Sequence, residues 1–117
     1  MQLEERITGN AAIVKVTGNV TLNGGGNVLL KDKVNSLLQQ GHKNILVDLG
    51  AVSFVDSTGL GTLVQSYVTT KNRGGALKLV NVTKRLNDLL VVTRLLTVFE
   101  TFDTEAAALA SFGSATA

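Results

Sequence analysis

The sequence predicts one α/β domain: a mixed, mostly parallel sheet that opens with an antiparallel strand pair and carries about four helices. Two observations support this. The hydrophobic period switches repeatedly between the two-residue spacing of strands and the i, i+3/i+4 spacing of helices, in the order β-β-α-β-α-β-α-β-α. The 117 residues are 44% hydrophobic and 17% charged, which suits one domain with its own core; a disordered chain is poor in the first and rich in the second. Strands separated by helices imply parallel pairing through right-handed crossovers. The domain is expected over residues 1–112, with 113–117 as a flexible tail. Aromatics make up only 4%, so the core falls to Leu, Val, Ile and Ala.

Each element has its own warrant. Ile13-Val14-Lys15-Val16-Thr17 reads as a strand, paired with one near Leu3 to Ile7 across a Gly9-Asn10 turn. A loop, Asn23-Gly24-Gly25-Gly26-Asn27, leads to Leu30, Val34, Leu37 and Leu38, one helical face that should stop at a left-handed Gly41. Ile45-Leu46-Val47-Asp48-Leu49 is the nearly continuous apolar run of a strand covered on both faces, and Val52 and Phe54 continue it to Val55. Leu60, Leu63, Val64, Tyr67 and Val68 give the clearest helix, which runs out at Gly74-Gly75. Leu77 to Val80 is a further strand. Leu86, Leu89, Leu90 and Thr93 mark a helix with Thr83 as its N-cap. Val98 to Phe102 reads as the last strand, and Asp103 as the cap of an Ala-rich helix ending near Phe112.

Composition narrows the chemistry. With no Cys and one His (His42), a disulfide framework and a Cys/His zinc site are excluded, and a Ser-His dyad is disfavoured. The opening MQLEERITGN has two acids and no apolar run, unlike a secretory signal, and no stretch has the ~20 apolar residues of a membrane span. A soluble, cytoplasmic protein without membrane insertion is expected. Between Lys71 and Arg94 six bases face one acid, yet they spread over three elements with no interleaved aromatic. This reads as a solvated surface and not as a DNA-binding footprint.

Four places could carry chemistry. Gly24-Gly25-Gly26 lacks the Lys and Ser/Thr of a phosphate-binding loop and the spacing of a dinucleotide fingerprint, so no cofactor is expected there. His42 follows Gly41 at a helix end, where an imidazolium complements the helix dipole. Asp48 stands within an apolar strand with no second carboxylate in register, and accepting nearby N–H groups is the simplest role for it. The fourth, Asp56-Ser57-Thr58-Gly59-Leu60-Gly61, lies at the carboxyl end of a central strand and opens a helix, the usual place for functional groups in an open α/β sheet. Capping accounts for the Asp or Ser. It does not account for two glycines in a helix, each about 1 kcal/mol worse than alanine, and a close approach by another backbone or a partner would. The order Asp-Ser-Thr-Gly is not that of a nucleophile elbow, and no histidine is at hand to act as base.

Ile45 to Leu49, followed by Val52-x-Phe54-Val55-Asp56-Ser57-Thr58-Gly59-Leu60-Gly61, resembles the signature of STAS domains, specifically of bacterial anti-sigma factor antagonists. The Gly-Gly turn before Ala76 to Val80, the helix over 84–94 and the acidic final helix match that layout. The resemblance covers roughly residues 2 to 112. It implies a STAS-like fold and a switch that is not an enzyme and uses no cofactor, metal or catalytic residue. Ser57 would be phosphorylated by an anti-sigma factor with serine kinase activity, with Thr58 as a second hydroxyl. The unmodified form would capture that kinase and free a sigma factor for transcription, and a serine phosphatase would reset the cycle. Asp56, Ser57, Thr58, Gly59, Leu60 and Gly61, with Asn23 and Gly24 of the preceding loop, would meet the partner. Many such antagonists have an acidic pair near the position of Gly18; here Gly18 to Gly26 contains no acid. The alternative on the same fold is an unphosphorylated scaffold or regulatory subunit of a signalling or membrane-transport complex.

Overall fold

The computed structural model describes residues 2–8, 11–21 and 26–113; the Gly9-Asn10 turn, Asn23, Gly24 and residues 114–117 of the tail lie outside the described residues. Strand β1 (Gln2–Thr8) pairs antiparallel with β2 (Ala11–Val20), Gln2 opposite Thr17. Helix α1 (Gly26–Gln39) leads to β3 (Asn44–Val55), then α2 (Ser57–Asn72), β4 (Ala76–Val80), α3 (Lys84–Val92), β5 (Thr101–Phe102) and α4 (Glu105–Gly113). The five strands lie side by side in sequence order, and every pair after the first is parallel.

That order determines which face each helix covers. The crossovers from β2 to β5 all step in one direction, so right-handed connections deliver α1, α2 and α3 to the same face. There Val14, Val16, Ile45, Val47 and Leu49 meet Leu30, Leu37, Leu63, Leu86 and Leu90 in the main core. Helix α4 follows the last strand and covers the other face, where Ala108 and Phe112 pack on Ile13, Leu46 and Val80. The alternation within Ile45 to Leu49 therefore serves two cores, as its unbroken apolar run predicts.

The helix ends follow from backbone chemistry. Gly41 takes φ +93°; its N–H donates to Leu38 O (3.1 Å) and that of His42 to Leu37 O (2.9 Å). Together they satisfy carbonyls of the last turn that have no helical partner. Thr83 caps α3, accepting from Leu86 N–H at 3.3 Å.

Three expectations need correction. The last strand is two residues long, not five: the N–H groups of Val98 and Phe99 donate to Leu95 O in a turn. Phe99 is buried from that turn, edge-on to Tyr67 with ring centroids 5.4 Å apart. Thr104, not Asp103, accepts from the first turn of α4, through Ala107 N–H at 3.2 Å. The basic stretch is not wholly solvated, because α4 covers Lys78. The Lys78 ammonium donates to Ser111 Oγ (2.9 Å), pairs with Glu100 (3.1 Å) and lies 4.7 Å from the Phe112 ring centre.

The buried side of α2 includes the hydroxyl residues Thr62, Ser66 and Thr70. Both threonines bond a carbonyl one turn back, but Ser66 Oγ, in a residue only 4% exposed, has no partner among the described residues. A buried hydroxyl without a partner costs roughly 1–3 kcal/mol. Ser66→Ala is therefore expected to stabilise the protein by about 1 kcal/mol, read as a rise of about 4 °C in Tm.

Candidate functional site

The ends of β2 and β3 and the start of α2 converge at one end of the sheet. Asp56, in extended conformation, is the N-cap of α2: its Oδ1 accepts the Gly59 N–H at 2.7 Å, and its carbonyl accepts the Leu60 N–H at 2.9 Å. The Asp56 N–H donates to Val20 O at 3.4 Å and ties the helix start to β2. Asp56 is thus a structural cap that holds Ser57 as the first helical residue. Asp56→Ala is expected to cost about 1 kcal/mol and Asp56→Asn little, since an amide oxygen also caps; urea denaturation of the two variants checks this.

The five residues of the motif after Asp56 divide by direction. Ser57 and Gly61 are exposed, Thr58 is partly so, and Gly59 and Leu60 are buried. A Cβ on Gly59 would lie 1.9 Å from Val20 O, so the close approach at that glycine is made by the chain's own backbone. A Cβ on Gly61 would meet nothing within 4 Å. The fold thus accounts for one glycine and leaves the other unexplained. Along the same helix face, Gln65 and Val68 continue the exposed line from Ser57 through Gly61.

The other candidates lie elsewhere. Asp48 Oδ1 accepts the Gly50 N–H (3.0 Å) and the Asn81 amide (3.2 Å), a local structural role. His42 precedes β3 whereas Ser57 follows it, so a 12-residue strand separates them, a span of roughly 35–40 Å. His42 therefore cannot serve Ser57 as a base. Among the described residues no group of three or more His, Asp or Glu side chains could hold a metal ion. Sequence reasoning missed the contact between Gly59 and Val20, which joins positions far apart in the chain. It also missed a groove between β3 and α3; its signal was a strand pattern running to Val55 beside the short one ending at Val80.

This is a small α/β domain that presents an exposed serine at a helix start, one turn before a glycine open to solvent. The family profile of the STAS domain matches residues 2–108, and the chain belongs to that family. A curated relative, the anti-sigma-B factor antagonist of Bacillus subtilis (strain 168), is 40% identical over 67 residues, a match spanning 57% of this chain and 61% of the relative. Among solved structures, a candidate anti-sigma factor antagonist of Thermotoga maritima superposes with a TM-score of 0.86 at 22% identity, covering 94% of this chain and 93% of that one. The phosphorylated form of the Bacillus cell fate determinant SpoIIAA gives 0.71 at 20% identity over 94% and 96%. A sulfate transporter family protein of Wolinella succinogenes gives 0.74 at 20% over 92% and 88%, so the fold also occurs in a transporter family.

Proposed function

We propose that the chain is an anti-sigma factor antagonist, a protein–protein switch controlled by phosphorylation of Ser57. Unphosphorylated, it binds an anti-sigma factor with serine kinase activity and so releases a sigma factor for transcription in the cytoplasm; a serine phosphatase restores the binding form. The observation that carries this reading is the exposed hydroxyl of Ser57, held at the first position of a capped helix beside the open Gly61. The name of the B. subtilis relative and the phosphorylated state of SpoIIAA support it.

The chemistry is asymmetric in a useful way. The Ser57 oxygen attacks the γ-phosphorus of ATP bound to the kinase, ADP leaves, and the hydroxyl proton passes to a base on the kinase. The new group adds about −1.5 to −2 charge at a helix N-terminus, which favours anions, so the domain stays folded. The cost falls on the interface, where that charge must lose its water.

A constitutive STAS subunit of a signalling or membrane-transport complex is the second reading, favoured by the likeness to the transporter family protein. Affinity capture from the source cells with Ser57→Ala and Ser57→Asp separates the two. A switch retains, on Ser57→Ala alone, a protein that phosphorylates the native chain with ATP and magnesium. Equal capture by both variants favours the constitutive subunit.

A further inference from the structure

Strand β3 outruns its neighbour. Strand β4 ends at Val80, opposite Asp48, while β3 continues to Val55 with β2 on its other side. Past Asp48 no strand among the described residues pairs with the edge that faces β4. Asn81 closes the first step of that edge, its amide on Asp48 and its Cβ close to Gly50. Beyond it a groove of about 310 Å³ separates Val52, Ser53, Phe54 and Val55 from Leu86 and Leu89 of α3. Successive strand side chains point to opposite faces. At Ser53 a register shift against β2 breaks that alternation, so that Val52 and Val55 both reach the main core, and the opening follows β3 past the end of β4.

Two further features describe what would fill it. Phe54 is 47% exposed and Val92, also lining the groove, 79%, so the apolar walls are partly uncovered. The first turn of α3 holds Lys84 and Arg85 and no acid, and neither cation is in an ion pair among the described residues. Arg85 lines the groove at the N-terminal end of α3, where the helix dipole also favours an anion and exposed Lys84 is its neighbour in the chain; Asp88, one turn on, is the only acid lining it among the described residues. We propose that the groove receives an extended acidic segment of a partner protein, which adds to β3 as a further strand. Its backbone pairs with the open edge, apolar side chains enter between Phe54 and α3, and a carboxylate meets Arg85. At about 310 Å³ and walled by α3, the groove holds a few residues of one segment, which favours a single strand over the sheet edge of a second copy. The groove ends two residues before Ser57, but its filling does not depend on the state of that residue.

The test uses the unmodified full chain, isotopically labelled, and two end-capped probe peptides of alternating residues, one Val-Glu and one Val-Lys, followed by NMR. Saturable shifts at the amides of residues 53–55 and 85–92, with slowed hydrogen exchange at 53–55, are expected with Val-Glu. Val-Lys should bind about tenfold more weakly, and the exposed-site variant Arg85→Glu should lose about tenfold of the Val-Glu affinity with its fold intact. Silence at these amides up to millimolar Val-Glu overturns the proposal, as does equal binding of both peptides. Edge amides that shift on concentrating the protein alone would assign the groove to a second copy and equally overturn it. None of these outcomes bears on Ser57 phosphorylation.

Discussion

Gly59→Ala is expected to destabilise the domain by about 3 kcal/mol, a loss of roughly 12 °C in Tm, while Gly61→Ala stabilises it by about 1 kcal/mol. The two glycines stand two residues apart in one helix, yet the signs differ. At Gly59 the added methyl would lie 1.9 Å from the Val20 carbonyl oxygen, a backbone atom held by the β2–β3 ladder and by the Asp56 N–H. It cannot rotate away as a side chain would, so the helix start must move off β2 and strain its cap. At Gly61 the methyl enters open space, and the helix gains the usual advantage of alanine over glycine. If Gly61 provides room for a partner's backbone, Gly61→Ala will lower partner affinity while raising Tm. Differential scanning calorimetry and binding on the same preparations read both effects. Equal Tm changes for the two variants would contradict the assignment.

The second large effect concerns Ser57. Phosphorylation there is expected to weaken partner binding by about 2–5 kcal/mol, roughly 30-fold to several thousand-fold, through burial of a charge without its counterpart. The fold should barely respond: Ser57 is exposed, and its neighbours Gly59 and Leu60 have their N–H groups bound to Asp56. Isothermal titration of the captured partner with the phosphorylated and unphosphorylated chain measures the first part, and the two melting curves measure the second. A large drop in Tm with phosphorylation would mean that the group acts on the fold and not on the interface.

How much of this was legible in the sequence depended on the range of the interaction. Helix ends at Gly41 and Gly74 were legible because apolar period and cap coincide, and both glycines take positive φ. The strand from Ile45 to Val55 was legible from its apolar run. Failures occurred where burial alone had to stand for conformation. Leu95 to Phe99 is apolar enough for a strand, but Phe99 finds its buried place from a turn. Asp103 and Thr104 are both good cap residues one step apart, and pattern alone cannot choose between them. Lys78 reads as a solvated cation in the sequence, but α4 lies over it. At the site, the motif pointed to the right stretch of chain. It could not divide its glycines, because the Val20 carbonyl that explains Gly59 lies far away in sequence, and it gave no view of the open edge beyond Asp48.

The central claim is that Ser57 is a reversible phosphorylation site. The most direct measurement is mass spectrometry of the protein incubated with ATP, magnesium and lysate of its own source cells, prepared under growth and under stress. The account predicts one phosphoryl group, mapped to Ser57 and absent from Ser57→Ala. A mass unchanged in every condition, or a modification confined to Thr58 or to another residue, would contradict it.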